Sequence, residues 1–366
     1  MIRPATLADL DALLAIEMRC FDGQDRFSRR SFRYLLTKAN AITLVTEIEQ
    51  VLEGYVSVLF NTGTSLARIY SLAVRPESRG KGLGEALMEA AEAAAIARGF
   101  VTLRLEVHPD NASAIALYRQ HGYKQFGITG PDYYADHAPA LRFEKRLAPP
   151  FKPELVHVDY YQQTLEFTCG PAALMMAMHA LEPAVEFTRS LELQLWREST
   201  TIFMTSGHGG CGPYGMALAL DRRGFRIELY VSEEGTFFRD SVRSEEKKAV
   251  MQLVEEDFVA EIQAQAIPVI HGKLTVEKLQ ERFVAGGIPV VLISSYRIYR
   301  EKSPHWVVVT GFDDQYIYVH DPYVDEKAGK RAIDCINMPI PKKDFQRMTS
   351  YGKAAQKAAL IVYRDH

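Results

Sequence analysis

Three prolines fall within the seven residues Leu147-Ala148-Pro149-Pro150-Phe151-Lys152-Pro153, and neither a helix nor a central strand can run through them. A chain of 366 residues interrupted there is expected to fold as two domains, residues 1–147 and 155–366, joined by a linker at 148–154. The residues are 47% hydrophobic and the net charge is −3, which gives no reason to expect nucleic acid or an anionic membrane surface as a partner. No apolar run approaches the ~18 residues of a membrane span. The opening Met1-Ile2-Arg3-Pro4 lacks the apolar core of a secretory signal. Cys20, Cys169, Cys211 and Cys335 are scattered, with no CxxC pair. Neither a metal site nor a disulfide framework is expected from that spacing. A reducing, cytoplasmic setting fits it, with any important cysteine acting as a thiol.

Before the prolines, helices and strands alternate. Thr6 to Cys20 carries leucines at helical spacing, and Ser28 is placed to cap a second short helix bearing Phe32 and Leu35. Ala41 to Ile48, Leu52 to Phe60 and Ala67 to Val74 are rich in β-branched residues and predict strands. An alanine-rich helix follows from Leu83 to Arg98, then a strand over Val101 to Val107, a helix over Asn111 to His121, and two further strands.

The turn Arg79-Gly80-Lys81-Gly82-Leu83-Gly84 leads from a strand into a helix. Its glycines let backbone N–H groups converge on a phosphate at the helix N-terminus, and Arg79 and Lys81 add positive charge. Alone, such a turn is a weak signal. Together with Leu72-Ala73-Val74 before it and Leu105 to Tyr118 after it, including Asn111, it resembles the GNAT acetyltransferases. The likeness is to the RimI type, which acetylates a ribosomal-protein alanine, and it covers residues 1 to 147. It implies acetyl-coenzyme A as cosubstrate. Leu72, Ala73 and Val74 would hold the pantetheine arm, and Arg79, Gly80, Lys81, Gly82, Leu83 and Gly84 the pyrophosphate, with Asn111 and Tyr118 completing the site. Glu106 and Tyr118 would be the acid–base pair, because an amine nucleophile must lose a proton and a departing thiolate must gain one. The loop Cys20 to Ser28 lacks the Pro-Trp step of the RimI type, so the acceptor stays open. Tyr133 and Tyr134 are either groove or core aromatics.

After the prolines the chemistry centres on Thr168-Cys169-Gly170-Pro171. Pro171 is favoured in the first turn of a helix, which puts Cys169 at the helix N-terminus, where free N–H groups and the dipole favour negative charge on sulfur. Gln163, six residues upstream, is spaced to aim an amide at the same point, as a donor to an oxyanion. His305 starts a strand, Phe312 to Gln315 reads as a turn, and Asp321 ends the next strand. A hairpin with an odd-length turn brings His305 opposite or nearly opposite Asp321 on one face, as an oriented base requires. Residues 155 to 365 resemble the papain-like cysteine peptidases that trim double-glycine leaders. That resemblance implies Gln163 as oxyanion donor, Cys169 as nucleophile, His305 as base and Asp321 as orienter. A second Cys-Gly-Pro at Cys211 lacks the upstream glutamine, so Cys211 and His208 read as loop residues. The charged stretch Ser232 to Gln265 reads as a solvated helical insertion or lid.

The expected architecture is a two-domain α/β (α+β) chain, a GNAT mixed-sheet fold followed by a papain-like α+β peptidase fold. The expected activity is acetyl-coenzyme-A-dependent N-acetylation of a peptide or protein amine joined to cysteine peptidase chemistry, both acting on one peptide or protein substrate. Three alternatives stay open: a non-catalytic peptide-binding second half, a cysteine transamidase or cyclase, and a degenerate acetyltransferase that senses acetyl-coenzyme A.

Overall fold

The computed structural model describes the chain except residues 22, 148–153, 201–208, 233–235, 240–241, 273, 302, 353 and 365–366. The proline run and His208 therefore lie outside the described residues. Chain contacts divide into two compact units, Met1–Phe151 and Lys152–His366.

The first unit opens with β1 (Ile2–Pro4), α1 (Leu10–Cys20), α2 (Arg29–Thr37), β2 (Ala41–Ile48), β3 (Val51–Phe60) and β4 (Leu66–Val74). It continues with α3 (Leu83–Ala97), β5 (Thr102–Val107), α4 (Ala112–Gln120), β6 (Lys124–Ile128) and β7 (Leu141–Arg146). The strands form one sheet in the order β1-β2-β3-β4-β5-β7-β6, antiparallel except where β4 meets β5. Leu13, Ile16, Phe32 and Tyr55 form one core, and Val58, Leu87, Met88, Leu103 and Phe143 another. The predicted helix at Thr6 begins as a 3-10 turn, Leu7–Asp9, before α1, and Ser28 caps α2 by accepting the Ser31 N–H.

The second unit runs β8 (Glu154–Leu155), α5 (Cys169–Leu181), α6 (Arg189–Ser199), α7 (Pro213–Asp221), β9 (Phe225–Val231), α8 (Glu245–Ala264) and β10 (Val269–His271). Then come α9 (Val276–Val284), β11 (Ile288–Ser294), α10 (Tyr296–Tyr299), β12 (Pro304–Phe312) and β13 (Tyr316–His320). It ends with β14 (Met338–Pro341), α11 (Lys342–Met348) and β15 (Ala358–Arg364). The sheet order is β10-β9-β15-β11-β12-β13-β14, with β8 added against β12. α5 is apolar all round, with Gly170 to Met178 fully enclosed, as a helix central to a core must be. It packs against β12, α6 and α7.

Two sequence readings are amended here. The charged stretch is helical and largely exposed over Glu245–Ala264, as read, but it is not free of the core: α8 packs on α7 and buries Met251, Glu255 and Ile262. Cys211 is not a loop thiol: it is 3% exposed, in the core, and bridges to Thr200 just before α7. In this unit β8, α6, β9, β10, α10, β14, α11 and β15 went unpredicted, although β15 lies inside the sheet between β9 and β11.

Candidate active sites

In the first unit the parallel ladder between β4 and β5 pairs only Leu66–Arg68 with Thr102–Arg104. Both strands continue, β4 to Val74 along β3 and β5 to Val107 along β7, without pairing further with each other. Their facing edges open a fork whose N–H and C=O groups have no strand partner there, and such groups need an occupant or solvent. Leu72, Ala73 and Val74 line one prong. At the end of that prong the chain enters the Arg79–Gly84 turn. Gly80 and Gly82 have φ of +74° and +76°, a left-handed backbone that favours glycine. A Cβ at either would meet nothing within 4 Å, so the turn presents open, exposed backbone. Gly82 caps α3, whose first N–H groups have no acceptor within the helix. Arg79 is turned back, its Nε donating to the Val74 carbonyl at 3.2 Å. Gly84 answers a different need: a Cβ there would lie 3.3 Å from the Leu117 side chain, so it lets α3 approach α4. An open glycine turn at a helix N-terminus beside a forked sheet fits a pyrophosphate and an extended arm.

Tyr118 sits on α4, 6% exposed, its ring near Tyr123 and Phe143. Burial pushes its phenol up to about 12, so it holds its proton at neutral pH. Asn111 accepts the Ala114 N–H at 3.2 Å as the cap of α4. Glu106, on β5, is neither a surface carboxylate nor an isolated base. Its side chain is 5% exposed and lies 3.6 Å from Arg68 Nη1 and 3.3 Å from Arg142 Nε. It also accepts the Tyr133 hydroxyl at 2.5 Å. Arg68, Arg142 and Tyr133 are contacts that strand periodicity alone did not reveal.

In the second unit, Cys169 is the first residue of α5 and half-buried. Its neighbour explains the local sequence: a Cβ on Gly170 would lie 3.1 Å from Cys211 Cβ, 3.2 Å from Met216 Sδ and 3.3 Å from Trp306 Cδ1. Glycine lets the start of α5 approach the start of α7 and β12 this closely without displacing those side chains. Trp306 locks the contact by donating Nε1–H to the Cys211 carbonyl at 3.1 Å. Burial and the nearby Cys169 push the Cys211 thiol up, which keeps it protonated and inert.

His305 and Asp321 meet with Nε2 2.6 Å from Oδ1, both side chains buried. The turn between β12 and β13 has three residues, Asp313 to Gln315, and a bulge lies between Val309 and Gly311. The ladder sets Val308 opposite His320, so His305 reaches Asp321 along a diagonal of the shared face. The other carboxylate oxygen, Oδ2, accepts the Tyr299 hydroxyl at 2.6 Å, and Oδ1 also accepts the Tyr323 N–H at 2.9 Å. Cys169 lies near enough to the His305 ring to favour its charged form. Burial alone would lower the pKa of His305, but the Asp321 carboxylate and the Cys169 sulfur outweigh it and raise it to about 10. Asp321 would be raised by burial, yet the imidazolium, Tyr299 and the Tyr323 N–H hold it below its usual value. Burial keeps the Tyr299 phenol well above its usual range, so it remains a donor. Tyr299 was not singled out from the sequence; a tyrosine six residues before a candidate histidine carries no pattern of its own.

Gln163 bridges the two halves of this site. Its backbone N–H donates to the Pro322 carbonyl at 2.9 Å, beside Asp321. Its side-chain Nε2 donates to the Leu165 carbonyl at 2.7 Å, in the turn that delivers Cys169. The amide has a second N–H to offer. Among the described residues, no His, Cys, Asp and Glu group is arranged to hold a metal ion, and no helix is long and apolar enough to cross a membrane.

Residues 10–123 match the acetyltransferase (GNAT) family, and residues 158–363 match the Peptidase_C39 like family. An uncharacterized protein of Mycobacterium leprae (strain TN) is 32% identical over 137 residues, 37% of this chain and 37% of that protein. The chain thus spans well under half the length of that relative. A putative [ribosomal protein bS18]-alanine N-acetyltransferase of Bacillus subtilis (strain 168) is 32% identical over 136 residues, 37% of this chain and 87% of that protein. The solved ribosomal-protein-S18-alanine N-acetyltransferase of Escherichia coli is 25% identical, covers 41% of this chain and 95% of its own, and has a TM-score of 0.37. Through more than half of its length this chain belongs to the Peptidase_C39 like family, and its first unit belongs to the GNAT acetyltransferases.

Proposed function

We propose that the chain is a bifunctional enzyme, an acetyl-coenzyme-A-dependent N-acetyltransferase of a peptide or protein amine joined to a papain-like cysteine peptidase. In the first unit, Leu72 to Val74 and Arg79 to Gly84 bind the coenzyme, which supplies the acetyl group as a thioester. Glu106 accepts the proton shed by the attacking amine, and the Tyr118 hydroxyl protonates the departing sulfur. Support comes from the fork between β4 and β5, the open glycine turn and the proton-retaining Tyr118. A relative named for a ribosomal-protein alanine favours a peptide α-amine as acceptor.

In the second unit, the Cys169 sulfur attacks a peptide carbonyl while Gln163 donates to the oxyanion. His305 then gives its proton to the leaving amine, and Asp321 holds the ring in place. Water afterwards displaces the acyl group from sulfur, with His305 taking the water's proton. The single observation that carries this half is the buried His305–Asp321 pair at 2.6 Å, with Cys169 at the start of α5 near enough to the ring to favour its charged form. Labelling with a thiol-directed peptide electrophile tests it. Cys169 is the expected adduct site, lost in Cys169→Ala; an inert Cys169 in the folded protein would favour a peptide-binding module instead.

A further inference from the structure

Glu192 lies on the first turn of α6, and its carboxylate is buried completely. Among the described residues it makes no ion pair. It is instead surrounded by four donors, and all four belong to residues 161–168, the segment that carries Gln163 and ends at Cys169. Oε1 accepts the Thr164 N–H at 2.8 Å and the Thr168 hydroxyl at 2.5 Å. Oε2 accepts the Thr164 hydroxyl at 2.6 Å and the Tyr161 hydroxyl at 2.9 Å. An ionised carboxylate is an acceptor with about four lone-pair sites, so every site is filled. A glutamine could face its N–H₂ group only to the Thr164 and Tyr161 hydroxyls, and both would have to switch from donating to accepting. As built, the arrangement suits a buried carboxylate, which would be costly without such donors.

The network reaches the Gln163 amide in three steps. The Thr168 oxygen accepts the Leu165 N–H at 3.3 Å, and the Leu165 carbonyl accepts Gln163 Nε2 at 2.7 Å. α6 is itself anchored: Leu195 lies in the core, and Trp196 packs against Phe167 of the same segment with ring centroids 4.9 Å apart. A buried anion on a packed helix thus grips the loop between oxyanion donor and nucleophile.

We infer that Glu192 is the positioning residue of the oxyanion loop, fixing the Gln163 amide relative to Cys169 without touching substrate. This rests on the peptidase reading. It separates two properties that share one cysteine: alkylation of Cys169 by iodoacetamide needs only the sulfur and its imidazole, whereas amide cleavage also needs the oxyanion donor. In the full chain, Glu192→Gln is expected to lower kcat for a fluorogenic peptide ending in Gly-Gly-aminomethylcoumarin by about 100-fold, the scale of losing one oxyanion donor. KM, the rate of Cys169 alkylation and its pH profile are expected to stay unchanged. Thr164→Val, which removes one of the four donors and leaves the carboxylate, is expected to show the same split at smaller amplitude, and it keeps the test open if Glu192→Gln does not fold. Unchanged kcat in these variants, or alkylation falling in parallel with kcat, overturns the inference. A wild-type chain that neither cleaves the peptide nor alkylates at Cys169 overturns the peptidase reading and this inference with it.

Discussion

Replacing Asp321 by asparagine removes one charge and almost no volume, so it isolates the electrostatics of the second site. In the native protein His305 is raised from 6.5 to about 10, which corresponds to a preference for the imidazolium on the order of 5 kcal/mol. That preference is a net result, because burial works against the charged ring and the Asp321 carboxylate is the largest favourable contribution. With the carboxylate gone and the burial retained, His305 is expected to titrate well below its native value of about 10. The assay is carbon-proton NMR of ¹³C-histidine-labelled full chain from about pH 5 to about pH 11, with His305→Gln to assign the signal. Stability should follow the same pair. Because the folded-state pKa lies above the unfolded value, the stabilisation is complete below about pH 6.5 and fades as pH rises through about 10. Asp321→Asn should flatten that alkaline decline. A native His305 that titrates near 6.5, or a variant that still titrates near 10, would refute the reasoning.

Gly170→Ala places a methyl 3.1 to 3.3 Å from Cys211, Met216 and Trp306, so urea unfolding should show a loss of about 1–3 kcal/mol; an unchanged midpoint would contradict the packing argument. Gly82→Ala meets no neighbour within 4 Å, so its cost is backbone strain at φ +76°, about 1–2 kcal/mol, together with weaker acetyl-coenzyme-A binding in a calorimetric titration. Glu255, buried on α8 with both oxygens on the Phe237 N–H, is raised to about 8 by desolvation. Its folded-state value exceeds the unfolded one, so it lowers stability as pH rises from about 4.5 to about 8, and Glu255→Gln should melt higher than the parent at pH 8 and not at pH 5. Equal melting of the two at both pH values would show that Glu255 does not titrate there.

Much of the first unit was legible because each signal was local. Ser28, Asn111 and the glycines of the Arg79–Gly84 turn mark helix starts through their own capping chemistry, and they do so in the structure. The fork between β4 and β5 was not legible from spacing, since it depends on where two distant strands stop pairing. Glu106 illustrates the same limit: its position on a strand end was readable, but not the two arginines and Tyr133 that enclose it. In the second unit, Cys169 and Pro171 announced the start of α5, and two strands around a short turn announced the His305–Asp321 hairpin, although the turn is Asp313 to Gln315, one residue shorter than read. β15 was missed because a short run such as Ala358 to Tyr363 is ambiguous between a buried helix turn and a buried strand. α6 went unpredicted although Thr188 caps it; had it been recognised, Glu192, Leu195 and Ser199 at i, i+3 and i+7 would have put a carboxylate on the buried stripe.

The claim that two separate catalytic sites share this chain is tested most directly by mass spectrometry of a peptide library incubated with acetyl-coenzyme A. Wild type, Cys169→Ala and Tyr118→Phe would be compared in parallel. The account predicts acetylated and cleaved peptides with wild type, acetylation without cleavage in Cys169→Ala, and cleavage with acetylation reduced by about 10²–10⁴-fold in Tyr118→Phe. Cleavage that survives Cys169→Ala, or acetylation indifferent to Tyr118→Phe, would contradict it.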